Sequence, residues 1–193
     1  MRAQISLLQR VQQGSEVSAE EAAANDSRVA VIAGLRSLAV LVIAATFITW
    51  MYKAYRNLLG FGARLLEYSP GWAIGAFLTP VLNLFRPYSV VTEIWKASVP
   101  GADGTEWIQE KTPVMIRLWW GFWLASNLVS WITLSLLSSG RDDVGALLVR
   151  SYYALVADLL AILAAGAAIA VVHSVNQRQI RTGKQLSTPP LLD

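Results

Sequence analysis

Apolar and polar positions follow one another in long blocks rather than at the two-residue period of a strand. Four apolar stretches stand out, at about 29–52, 69–86, 118–138 and 146–173, bordered by charged or turn-forming residues. About 20 apolar residues in a helix cross a bilayer core, so the pattern predicts an all-α integral membrane helical bundle of about four transmembrane helices. The uncharged part of the first stretch, residues 37–52, has 16 residues, or about 24 Å of helix. Extension back to Val29 gives spanning length, with Arg36 snorkelling toward headgroups and Trp50 and Tyr52 anchoring the far interface. The second stretch opens with a capping Ser69 and with Pro70 at the first helical position. It is short and carries Pro80 and Asn83 near its end, which fits either a tilted or kinked span or a re-entrant helix covered by its neighbours. The third stretch is uncharged over 20 residues between Arg117 and Arg141. The fourth contains Arg150 near its start and Asp158 well inside.

The intervening segments have their own patterns. Residues 1–28 are polar and partly helical, and Ser18-Ala-Glu-Glu forms a capping box with Glu21, which predicts a helix from Ala19 to about Ala24. In 87–99, Tyr88, Val91, Ile94 and Trp95 share one helical face, and Ser89, Thr92, Glu93 and Lys96 share the other. The segment reads as an amphipathic helix lying in the interface, or as a continuation of the second helix past the membrane. Pro100-Gly-Ala-Asp-Gly is a turn-rich loop, and 176–193 is a polar tail.

Composition supports the membrane assignment. Only 29 of 193 residues are charged, 15% where about 25% is usual in soluble domains. The chain has no cysteine and a single histidine, His173, which ends the fourth helix. Disulfides, thiolate metal sites and thiol nucleophiles are therefore excluded, and no Walker loop, metal-ligand pair or nucleophile elbow occurs. The expectation is no enzyme, no cofactor and no metal. Basic residues are scattered beside apolar runs rather than gathered in a stripe, so nucleic acid is not an expected partner. Four spans would put the N-terminus, the middle connection and the C-terminus on one side, with eleven basic residues against five, which places both termini in the cytoplasm.

Few residues could carry chemistry. Asp158 is costly inside a span, by roughly 2.5–3.5 kcal/mol on insertion scales. It must face the bundle, stay protonated or pair with a base, with Arg150, Lys53 or Arg56 as candidates. It would serve either as a proton or cation relay or as a buried pair fixing helix register. Asn127, flanked by Trp123 and Trp131, would read a flat ligand or bond across helices; Asn83 has the same bland alternative. Lys53, Arg56 and Asn57 after the first span could hold an anionic headgroup or simply snorkel. Arg86 presents the same choice, and Trp95 belongs to the interfacial face.

The succession Trp50-Met-Tyr-Lys-Ala-Tyr-Arg-Asn, Tyr68-Ser-Pro-Gly-Trp-Ala-Ile-Gly, Thr79-Pro-Val-Leu-Asn-Leu-Phe-Arg-Pro-Tyr and Glu93-Ile-Trp-Lys-Ala-Ser resembles a bacterial multi-pass membrane family known as domain of unknown function 4328. The resemblance covers about Ala24 to Asn127, and the last helix only in character. It implies a bacterial inner (cell) membrane and supplies no reaction, substrate or catalytic residue. Such proteins often carry another apolar span before the Ala-rich segment ending at Asn25-Asp26, and this chain starts inside that region. The resulting expectation is a non-enzymatic membrane module that binds lipid or partner proteins, with homo-oligomerisation through small-residue faces. A small transporter or channel component using Asp158 and Asn127 is the alternative.

Overall fold

A computed structural model of the chain describes residues 5–7, 9–10, 13, 18–79, 81–138 and 143–187. Five α-helices make up most of it: α1 (Ala19–Gly60), α2 (Trp72–Leu78), α3 (Arg86–Ala97), α4 (Val114–Ser138) and α5 (Val144–Ser187). Two 3-10 turns, Leu82–Leu84 and Glu106–Gln109, precede α3 and α4. The described residues contain no strand. The protein is thus an all-helical membrane protein in which three helices, α1, α4 and α5, are long and apolar enough to cross a bilayer.

The start of α1 follows its capping signal. The Glu21 backbone N–H donates to Ser18 Oγ at 3.1 Å, satisfying one of the orphan donors of the first turn. The helix then runs unbroken for 42 residues, about 63 Å, because no Gly-Pro break separates the Ala-rich start from the span. Its length exceeds the roughly 30 Å core, so both ends extend beyond it. The expected 29–52 span and short 19–24 helix are therefore one element. Similarly, α5 runs 44 residues and absorbs much of the expected polar tail.

The second apolar stretch is different. Residues 69–86 do not form one long helix but hold α2, seven residues long, and the Leu82–Leu84 turn. The Trp72 N–H bonds back to Ser69 O, not to a capping side chain, and the helix begins only after Gly71. Phe77, near the end of α2, meets Phe47 of α1 edge-on at 6.3 Å. Phe47 lies five residues before Tyr52, inside the apolar run, so α2 returns to the depth of the first span.

The chain divides into two compact units. Residues 1–43 and 122–163 form the first. There the large apolar side chains point outward: Val31, Leu35, Leu38 and Leu41 are all well over half exposed, while Ser126, Arg150, Ser151 and Ala157 are buried. Lipid is as apolar as leucine, so small and polar residues, not large apolar ones, mark helix contacts there.

Residues 44–121 and 164–193 form the second unit, and its core resembles that of a soluble domain. Met51, Ala54, Tyr55 and Leu58 make one buried face of α1; Val90, Val91, Ile94 and Ala97 make that of α3; Val171, Val175 and Thr182 that of α5. Each set follows helical spacing. Each large apolar side chain buried here adds roughly 1.5–3 kcal/mol wherever water is the alternative environment.

Candidate functional site

The four sequence stretches singled out above meet in the second unit. Pro87 supplies a preset first turn to α3, as suits a position whose N–H has no partner in a helix. The amphipathic pattern of 87–99 does form a helix, but its apolar face is spent on the core of the unit rather than on lipid. Its supposed solvated face needs a larger correction. Glu93 is buried, at 7% exposure, because the loop after α1 folds over it. Tyr55 O–H donates to Glu93 Oε2 at 2.6 Å, and the Glu67 backbone N–H donates to Oε1. The Tyr68 N–H in turn donates to Tyr55 Oη at 3.2 Å. A buried carboxylate is tolerable only with such donors, and here both oxygens have one.

Arg86 closes the base of the α2 excursion. Its guanidinium lies 5.0 Å from the Tyr68 ring centroid and 5.2 Å from that of Trp72, with Glu67 Oε1 at 3.5 Å. The chain thus leaves at Trp72 and returns at Arg86 to a cation held between two rings. Burial, and then the neighbouring Glu67 carboxylate, push the Tyr68 phenol above its ordinary range.

A polar latch joins α5 to α1 and α3. Gln179 Nε2 donates to Ala54 O at 2.9 Å and to Ser98 Oγ at 3.1 Å, while Asn57 Nδ2 donates to Gln179 Oε1 at 2.8 Å. Thr182 Oγ1 donates to Ser98 O. Asn57 is therefore a structural partner here. Trp95 carries the Arg178 guanidinium on its face at 4.7 Å, with Glu110 at 3.3 Å. Lys53 and Arg56 are exposed, and Arg56 leans over Tyr52 at 5.9 Å. Asn83 sits in the 3-10 turn with a buried Oδ1 that lacks a hydrogen-bond partner among the described residues.

In the first unit, Asp158 pairs with Arg36 at 2.9 Å, not with the bases considered from sequence. Asn127 Nδ2 donates to Trp123 O at 2.8 Å on its own helix. The structure does not join these two residues. A cavity of about 420 Å3 opens beside the pair, lined by Arg36, Arg150, Ser130, Thr133 and Ser151 with Leu134 and Leu147 among its apolar walls. Among the described residues, no group of three His, Asp or Glu is placed to hold a metal.

Sequence reasoning missed Tyr55, Glu93, Gln179 and the Arg36 partnership. Glu93 and Tyr55 both lie in the stretches that carry the family resemblance, the one signal the sequence holds for them. No curated protein and no solved structure matches the chain. The profile of one family, the domain of unknown function DUF4328, matches residues 13–177, and with that match the chain belongs to the DUF4328 family.

Proposed function

We propose that the protein is a non-enzymatic module of a bacterial inner membrane that holds an anionic lipid in the first unit. The observation that carries this is the cavity of about 420 Å3 with Arg36 and Arg150 on its wall. Arg36 lies at the border of the uncharged run of α1, at headgroup depth. A guanidinium matches two phosphate oxygens at once, and the Ser130, Thr133 and Ser151 hydroxyls, whose protons go to carbonyls of their own helices, line the same wall. The Leu134 and Leu147 side chains give acyl carbons an apolar wall. Asp158 leaves Arg36 partly compensated, which suits a reversible rather than a permanent guest. Lipid binding is preferred to transport because Asn127 is exposed on α4, donates to the Trp123 carbonyl of its own helix and does not line the cavity.

Orientation follows from three spans instead of four. The termini then lie on opposite faces. The end of α1, the connection 61–113, the start of α4 and the C-terminal end carry Lys53, Arg56, Arg64, Arg86, Lys96, Lys111, Arg117, Arg178, Arg181 and Lys184, ten basic residues. The N-terminal side carries Arg2, Arg10, Arg28, Arg36, Arg141 and Arg150, six. The excess of base favours a cytoplasmic C-terminus.

Reconstitution tests the lipid site. Protein purified in mild detergent and mixed with phosphatidylglycerol and phosphatidylcholine should retain phosphatidylglycerol in native mass spectra. Arg150→Gln should cut that retention roughly tenfold, the effect of losing one charged contact. Asp158→Asn, which frees Arg36, should leave retention equal or higher. Equal retention in Arg150→Gln and wild type would overturn the proposal.

A further inference from the structure

The polar stripe of α3, Ser89, Thr92, Glu93 and Lys96, borders a second cavity in the second unit, a cleft of about 320 Å3. Its other walls are the loop carrying Leu65, Glu67 and Tyr68, and the 3-10 turn carrying Trp107 and Ile108. An exposed polar stripe would be satisfied by water. This one is roofed on two sides, and the roof leaves specific groups without partners. Trp107 is 6% exposed, and its Nε1–H meets no acceptor among the described residues. Thr92 Oγ1 is likewise buried without a hydrogen bond. Buried polar atoms are nearly always paired, and here two unpaired ones belong to facing walls of one cleft. No described residue supplies their partner, and a small guest in the cleft would.

The chemistry of that partner follows from the lining. Trp107 can only donate, so the guest must present an acceptor. Lys96 Nζ already donates to Ile108 O at 2.8 Å, which leaves ammonium protons for an anionic oxygen beside Trp107. Opposite charge is offered as well: each Glu93 oxygen accepts one described bond and keeps a lone pair, and Glu67 lies at the mouth. The Tyr88 ring also lines the cleft, and an aromatic face attracts a cation. A volume near 320 Å3 is at the small end of ligand sites and suits a headgroup-sized molecule without acyl chains.

We infer that this cleft binds a small zwitterion of the phosphoethanolamine type, its anionic oxygens on Trp107 Nε1–H and Lys96 and its ammonium on Glu93, Glu67 and Thr92 Oγ1. The source is either a free phosphoethanolamine-like solute or the headgroup of phosphatidylethanolamine. The inference does not rest on the lipid site of the first unit, because no residue is shared.

The test uses the full chain in phosphatidylglycerol nanodiscs, titrated with O-phosphoethanolamine by calorimetry, and with the Trp107 indole N–H followed by NMR. Saturable heat and a downfield shift of that one resonance are expected. Trp107→Phe and Thr92→Val should each weaken binding roughly tenfold, as loss of a hydrogen bond to a charged group does. Thr92→Val should not lower the melting temperature of the unliganded protein, since it removes an unsatisfied polar atom at nearly constant volume, whereas Trp107→Phe also loses buried ring volume and is read by its binding alone. A partial fill of the nanodisc with phosphatidylethanolamine that gives the same shift and blocks the solute identifies the headgroup as source. A shift with the solute alone identifies the free molecule. No saturable binding from either source, or undiminished binding in both variants, overturns the inference.

Discussion

Glu93 shows how a single residue can be misread by a correct pattern. Its register on α3 beside Ser89, Thr92 and Lys96 is right, and the inference from that register to solvent is wrong. The cover comes from Glu67 and Tyr68, more than twenty residues earlier, which no helical period can report. The consequence is measurable. Tyr55→Phe removes the hydroxyl that donates to Glu93 and accepts from the Tyr68 N–H, leaving two buried groups short of a partner. It should cost about 1–3 kcal/mol, read as a lower thermal midpoint of tryptophan fluorescence in detergent. An unchanged midpoint would show that water replaces the hydroxyl. Asp158 teaches the converse. Its expense inside a span was legible, and so was the need for a base. The identity of that base was not, because Arg36 looked sufficiently explained by snorkelling.

At the scale of elements, legibility depended on whether the signal was local. The Ser18 cap and the long apolar runs of α1, α4 and α5 are local, and they located three long helices. The polar residues of α4 also follow a local rule: Ser126, Asn127, Ser130, Thr133 and Ser135 each bond a carbonyl three or four residues back. Such back-bonding satisfies their donors within the helix itself, whichever way each side chain faces. The second apolar stretch is not a local matter. Its composition allows a span, but Gly71 and the Pro80-containing end shorten the helix to seven residues, and the Arg86 clamp with Tyr68 and Trp72 brings the chain back. A tie between elements is testable in the first unit. Arg36→Gln or Asp158→Asn alone leaves a charge on α5 or α1 without its counterion. The double variant Arg36→Gln with Asp158→Asn leaves neither, so it should recover much of the stability either single loses. With the pair partly exposed, the coupling should be modest, about 1 kcal/mol, in a double-mutant cycle of detergent unfolding. Strict additivity would show that the two side chains act independently.

For the whole molecule, three spans carry one consequence that four would not. An odd number of crossings separates the ends of the chain, and the described contacts supply the grouping independently of charge. Asn57, Ser98 and the C-terminal half of α5 share one unit through Gln179 and Thr182, and under the three-span proposal the connection after α1 and the end of α5 would lie on one face. Gln9, by contrast, bonds Tyr152 near the start of α5, within the first unit. A chain without native thiols is suited to mapping this. Single cysteines at Gln13, Asp103 and Gln185, all at exposed positions, should react with an impermeant maleimide from two different sides. Asp103→Cys and Gln185→Cys should be protected in intact spheroplasts and labelled only after permeabilisation. Gln13→Cys should be labelled before it. Protection of all three would restore an even number of crossings and force α2 to be a complete span, which its seven residues, about 10 Å long, are too few to make. Labelling of Asp103→Cys and Gln185→Cys from different faces would contradict the Gln179 latch itself, and with it the packing of the second unit on which Glu93 depends.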